Sequence, residues 1–322
     1  MPAPSQGAEL HIDRPLSNIV VSRRPEGFIA DQLLPITPVG KQSDMYWRFR
    51  HREFYQFQAG LSERAPGTEA KKVVMSVASD TYYARNYALG AEWTVEDAVN
   101  ADEVLQWRQS NAEMLTDRLM LDYEMRIAGL VSQAANVSTT TNVASNWNDA
   151  TNSRPFDDLT NYIEAFRRIT GQSPNRLIIP QGVWAKLKLS EQLKGRIFGS
   201  NNGGVPVKAQ LENLLDMPSG AILIPAAQVN TVSEFATFLG SGTLSDVWDN
   251  KVYLARVQLL AGRQTDTWLN AFRWTSPLFQ TPFAVQAYPF DAKKKKFEIE
   301  VGYYQAEKVV SPDLGFCINS AI

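Results

Sequence analysis

The reactive side chains of this sequence are few. It has two histidines, His11 and His51, and one cysteine, Cys317. A zinc site needs three or four nitrogen, sulfur or carboxylate ligands brought together. These three residues are far apart, and both histidines fall in stretches that read as extended arms. A histidine-dependent triad would draw on the same two residues. Neither a Gly-x-Ser-x-Gly elbow nor a His-Glu-x-x-His helix occurs. The glycine-rich runs 199–204 and 240–243 lack the Lys-Ser/Thr of a phosphate loop and read as surface loops. The pair Asp157-Asp158 has the form of acid–base carboxylates, but two acids at the start of a helix are explained by its N-terminus. Cys317 stands in an apolar run and reads as a buried, inert thiol. Lys293-Lys294-Lys295-Lys296 is the one dense basic cluster. It reads as a solvated turn, with an acidic neighbour or nucleic acid as the alternative. The expectation is therefore no enzyme, no cofactor and no metal.

Composition agrees. The chain has 322 residues and 36.0 kDa, enough for about two ordinary domains and a real core. With 32 basic and 34 acidic side chains the net charge is −2, which gives no whole-chain reason for binding nucleic acid or membrane. An apolar content of 44% and a charged content of 20% describe a globular protein. A lone cysteine excludes an intrachain disulfide framework and fits a reducing cytoplasm. The start Met1-Pro2-Ala3-Pro4 is neither basic nor apolar, and no run of 18 apolar residues occurs, so no signal peptide or membrane span is expected.

With so little reactive chemistry, the elements themselves carry the information. Six of 17 prolines fall in the first 38 residues, interrupted by apolar pieces such as Ile19-Val20-Val21 and Leu33-Leu34. Proline fixes φ and donates no backbone hydrogen bond, so this stretch reads as an arm laid along a surface. Residues 46–87 read as a long two-stranded arm, with Tyr46–Arg50 outgoing, Lys72–Val77 returning and a turn-rich charged stretch between them. An isolated ribbon is marginal in water, so something outside it must support it. Residues 94–131 read as one helix of about 55 Å. It opens on the capping box Thr94-Val95-Glu96-Asp97 and carries an apolar stripe through Ala112, Leu115, Leu119, Tyr123 and Ile127. After a polar spacer, a helix over 156–170 stops at Gly171. Short strands and helices then alternate over 175–290, and the strands 283–288 and 296–303 pair across a turn.

Charge is segregated along the chain. Residues 92–126 hold nine acids against three arginines, a net −6. Residues 164–208 hold eight bases against two acids, a net +6. A nearly neutral chain divided in this way can pair an acidic face with a basic face of another copy.

The order of these elements resembles the major capsid proteins of tailed phages, the Hong Kong 97-type fold. The local carriers are Asn175-Arg176-Leu177-Ile178-Ile179-Pro180 with the helix that follows, Asp246-Val247-Trp248-Asp249-Asn250-Lys251-Val252-Tyr253-Leu254, and Lys308–Ile318 with its Ser311-Pro312-Asp313-Leu314-Gly315-Phe316 core. The resemblance implies an α+β fold. Its parts are an N-terminal arm (1–45), an extended β-hairpin loop (46–92), a spine helix with the first part of a peripheral domain (93–171), an axial domain (172–285) and the rest of the peripheral domain (286–322). It further implies self-assembly through hexamers and pentamers into an icosahedral shell that encloses double-stranded DNA without reading its sequence. Such a shell is built in the bacterial cytoplasm and carried in the virion, with portal and decoration proteins as partners. Because only about 45 proline-rich residues precede the loop, it implies a separate scaffold protein or a chain that needs none. The charged residues expected at contacts between copies are Arg23, Arg24, Arg48, Arg50, Glu63, Arg64, Lys71 and Lys72. Lys71 and Lys72 lie near the loop, but no asparagine can be matched to them, so covalent cross-linking is not carried over. The alternatives are an encapsulin-like nanocompartment shell around a protein cargo and, from another class, an α/β enzyme with a carboxylate-based site.

Overall fold

The computed structural model describes residues 11–12, 17, 26–49, 62–64, 66–72, 77–100, 104–143, 146–199, 203–230, 244–260, 265, 267–275, 283–319 and 321–322. Two sheets dominate, and one long helix joins them.

The first sheet is built on the 14-residue strand Lys296–Val309. Along one edge it pairs antiparallel with Arg85–Thr94, from Lys296↔Thr94 to Gln305↔Arg85. Its other edge takes Ala284–Ala287 and then Leu269–Trp274, both antiparallel. Ile36–Val39 adds parallel to Leu269–Trp274, and His11–Ile12 adds antiparallel to Ala284–Ala287. The arm thus contributes strands to both ends of this sheet. Arg85–Thr94 carries no apolar alternation strong enough to announce a strand. It is held by ten consecutive cross-strand partners, and tertiary pairing overrides weak local preference.

The second sheet has five short strands in the order Thr139–Asn142, Gly315–Asn319, Val252–Ala255, Arg176–Ile178, Ile222–Leu223. Both faces of its central strands are covered, which explains why these are nearly continuous apolar runs, whereas the edge strand Thr139–Asn142 is polar. Leu177, Ile222, Leu254, Phe316 and Ile318 pack under the helices Pro155–Thr170, Gln181–Leu187, Glu191–Phe198 and Lys208–Leu214. Ile178, Tyr253 and Cys317 face the other way, onto Tyr123, Ile127, Leu33 and Trp268. The chain crosses between sheets repeatedly. Leu269–Trp274 belongs to the first sheet and Gly315–Asn319 closes the second, so sheet membership does not follow contiguous blocks of sequence.

The helical stretch begins as its sequence implies. Thr94 N–H donates to Asp97 Oδ2 at 3.1 Å, and Asp97 N–H donates back to Thr94 Oγ1 at 3.1 Å, a reciprocal cap. Helix then runs over Val95–Asn100 and Val104–Val131, with residues 101–103 outside the description. Among the described residues the longest continuous stretch of helix is 28 residues, about 42 Å. Its stripe is as expected. Ala112, Leu115 and Leu119 are buried against the first sheet, and Tyr123, Ile127 and Val131 lie in the core shared with the second. Gly171 ends Pro155–Thr170 at φ 72°, a left-handed position that favours glycine.

Candidate functional site

Three groups of side chains stand out, and none has the layout of a reaction centre. The first lies midway along the long helix. Glu124 is fully buried, and three N–H donors from two distant segments converge on it. Ile29 N donates at 3.1 Å to Oε1 and 3.2 Å to Oε2, Ala30 N donates at 2.9 Å to Oε2, and Trp248 Nε1 donates at 2.8 Å to Oε1. Burial pushes the Glu124 carboxyl above its ordinary range, against these donors. One carboxylate thus ties the arm and the turn Asp246–Lys251 to the helix. Tyr123 beside it buries a hydroxyl that has no hydrogen-bond partner among the described residues. The cavity at this place, about 230 Å³, is lined by Phe28, Asp31, Tyr123, Glu124 and Phe283 among others, and the described residues of its lining include no Ser, Thr, Cys, Lys or His.

The second group sits two residues further along, about half a turn round the helix. Arg126 pairs with Asp122, donates to Tyr303 Oη at 2.9 Å and to Glu307 Oε1 at 3.0 Å, and lies 3.7 Å above the Tyr87 ring. Gln305 Nε2 donates to the same Glu307 oxygen at 3.0 Å, while Arg273 Nε donates to Gln305 Oε1 at 3.0 Å. This network pins the helix to the long strand.

The third group is the root of the extended hairpin. Ser43–Phe49 pairs antiparallel with Val77–Tyr83, from Ser43↔Tyr83 to Phe49↔Val77. Strand alternation divides its two faces. Tyr46 and Tyr82 point inward and are almost wholly buried, with ring centroids 5.0 and 4.7 Å from Phe272. Val39, Ala306 and Val310 complete this small core. The support that a lone ribbon requires is thus the first sheet itself. Tyr46 Oη donates to Asp80 Oδ2 at 3.1 Å. Partial burial works against ionisation of Asp80. The Thr81 N–H, the Tyr46 hydroxyl, Lys308 and Arg48 outweigh it and hold the carboxyl below its usual value. On the opposite face Met45, Trp47 and Tyr83 are 54%, 40% and 59% exposed. An apolar strip on a rigidly rooted hairpin is the molecule's clearest unfinished surface.

The expected contact residues fall in different places. Arg48 lies on the inner face of the root, with Nη1 4.0 Å from Asp80 Oδ2. Glu63, Arg64, Lys71 and Lys72 are exposed in the segment that joins the hairpin strands. Arg23, Arg24 and Arg50 lie outside the described residues, as does His51. Asp157 and Asp158 are not side-chain caps. Asp158 accepts the Trp147 indole N–H at 2.9 Å, and Asp157 lies 3.8 Å from Arg196. Cys317 is buried, and burial pushes its thiol up to about 11. Among the described residues no group of three or more His, Cys, Asp or Glu is placed to hold a metal, and no helix is long and apolar enough to cross a membrane. Glu124, Trp248 and Phe272 went unread as anchors. The available signals were an acid set beside the apolar stripe and a tryptophan within Asp246–Leu254.

No protein-family model matches the chain. It is 24% identical, over 98% of both chains, to the major capsid protein of Pseudomonas phage JBD67. Its structure superposes on a phage-related protein of Bordetella bronchiseptica with a TM-score of 0.74, at 19% identity over 98% of this chain and 99% of that one. It superposes on the capsid of cyanophage P-SCSP1u with a TM-score of 0.59, at 12% identity over 92% and 89%. The chain has the Hong Kong 97-type capsid fold, a mixed α+β architecture.

Proposed function

We propose that this chain is a major capsid protein of a tailed bacteriophage, many copies of which assemble into a closed shell. The observation that carries this reading is end-to-end similarity to a phage major capsid protein, joined to a capsid fold over nearly the whole chain. The physics supports it independently. A hairpin rooted by Tyr46 and Tyr82 and open at Met45, Trp47 and Tyr83 needs a second surface, and closed symmetric assembly supplies one to every copy. Many modest contacts then add up to a stable shell.

In this reading residues 1–45 and 46–92 are the arm and the extended loop that reach neighbouring copies. Residues 93–171 and 286–322 supply the spine helix and peripheral part, and 172–285 the axial part that meets around symmetry axes of hexamers and pentamers. Arg23, Arg24, Arg48, Arg50, Glu63, Arg64, Lys71 and Lys72 serve contacts between copies. The shell is icosahedral and encloses double-stranded DNA without sequence readout. It is assembled in the host cytoplasm with a separate scaffold, a portal and decoration proteins, and the subunit is not an enzyme. Particles purified from the native source test the reading. Packaged double-stranded DNA is the expected content, whereas a folded protein cargo without DNA would place the chain among nanocompartment shells.

A further inference from the structure

The hairpin turn that ends the first sheet remains unused by the reading above. Asp291 N–H donates to Lys296 O at 3.1 Å, and Asp291 Oδ1 accepts the N–H groups of Lys293 at 2.9 Å and Lys294 at 3.2 Å. Lys295 O accepts the N–H of Val95 at 3.1 Å, which seats the turn directly against the start of helix Val95–Asn100. The turn backbone is thus fixed at both ends. Lys294 lies 3.9 Å from Asp291 and Lys296 pairs with Glu92. Lys293 and Lys295 are exposed and have no ion pair among the described residues, and the same holds for Glu96 on the adjoining helix. Two apolar side chains at this end of the molecule are also open, Val99 at 75% and Phe290 at 45% exposure.

A fixed cationic tip beside an unpaired acid makes a surface with two halves of opposite sign. Among the described residues the two halves form no ion pair with each other within the chain, and each complements the other half on a second copy. A contact of that kind is heterologous and closes when copies are arranged around a rotation axis. We propose that the turn Ala292–Lys295 is an interface with a second copy of this chain, in which Lys293 and Lys295 of one copy meet Glu96 of the next, with Val99 and Phe290 brought together beneath them. The proposal rests on the shell reading and names one of its contacts. Contact with a polyanion such as DNA is the competing use of the same lysines.

Charge reversal separates these uses. Shell yield is measured by sedimentation and electron microscopy for the full chain and for K293E/K295E, E96K and K293E/K295E/E96K. Circular dichroism of the unassembled subunit checks folding, and the neutral variant K293Q/K295Q is included in case reversal disturbs the fold. The expected result is at least a tenfold loss of shells for K293E/K295E and for E96K, a smaller loss for K293Q/K295Q, and recovery to half or more of the wild-type yield in the triple variant. Recovery by sign exchange is something a merely structural role would not give. Wild-type yield from K293E/K295E overturns the proposal, and so does a triple variant as defective as its parents. Normal shells with reduced nucleic acid content, read as the absorbance ratio at 260 and 280 nm, overturn it in favour of a DNA contact. Failure of the wild-type chain to form shells both alone and with a scaffold protein would overturn the shell reading and this contact together.

Discussion

At Glu124 three buried N–H donors find their acceptor within one chain, whereas the outer face of the hairpin leaves Met45, Trp47 and Tyr83 without cover. Both regions join elements far apart in sequence. The clasp links residues 95 and 124 positions apart through one carboxylate. The hairpin root uses stacked rings, Tyr46 and Tyr82 on Phe272. The difference lies in what remains. A buried charge must be satisfied inside the subunit, because an unpaired one is costly. An apolar strip can stay open until a partner arrives. The subunit is therefore complete as a folded unit and incomplete as a surface, and a shell protein needs both properties.

Substitutions break this comparison in a definite order. Removing the clasp should cost the subunit most. Glu124→Ala strips the acceptor from three buried N–H groups, each worth about 1–3 kcal/mol when left unsatisfied. A loss of about 4 kcal/mol is expected in urea unfolding of the unassembled chain, along with earlier proteolysis of the arm. Phe272→Ala comes next, at about 3 kcal/mol. Because it removes the floor under Tyr46 and Tyr82, limited proteolysis should cut within 43–83 before it cuts elsewhere. Gly315→Ala follows at about 2 kcal/mol. A methyl group there would stand 2.3 Å from the Trp268 ring, whose indole N–H already donates to Asn136 O at 2.8 Å and cannot easily yield.

The clasp also carries a pH signature. Burial raises the Glu124 carboxyl in the folded chain. Between the ordinary carboxylate value and the raised one, the folded state holds a proton that the unfolded state has released. Stability therefore falls as pH rises through that window and levels off above it. Glu124→Gln should be less stable than wild type at low pH and should lack this component of the slope. Parallel urea titrations of both chains, with their difference plotted against pH, check it. A difference independent of pH would mean that the Glu124 carboxyl titrates alike in the folded and unfolded chains. The smallest effect on the subunit belongs to the open face. Met45→Ser with Trp47→Ser should lower unfolding free energy by no more than about 2 kcal/mol, since roughly half of each side chain is already in water, and leave the subunit folded, yet shell yield should collapse.

How much of this was readable from sequence depended on whether the signal was local. The capping box at Thr94 and Asp97, the stripe through Leu115, Leu119, Tyr123 and Ile127, the stop at Gly171 and the inert Cys317 are written in neighbouring residues, and the structure has them. Arg85–Thr94 was not legible as a strand because its pairing partner lies some 200 residues away. Helix Glu191–Phe198 was missed because a short polar helix with an internal glycine has weak periodicity. The clasp was hidden for the same reason as the strand. Nothing near Glu124 in sequence reveals that Ile29, Ala30 and Trp248 will converge on it. The turn 291–296 was legible as a turn, while its seat against Val95 was not. For the surface, charge and exposure could be guessed, but which face of the hairpin is free depends on the position of Phe272.

The central claim is that a complete subunit with an open hairpin face builds a closed shell. The most direct test is electron microscopy with analytical ultracentrifugation of the purified full chain, alone and with a scaffold protein, beside the Met45→Ser, Trp47→Ser variant. The account predicts uniform closed particles tens of nanometres across from the wild type, and folded, unassembled subunits from the variant. A small discrete oligomer from the wild type under every condition would contradict the claim, and so would normal particles from the variant.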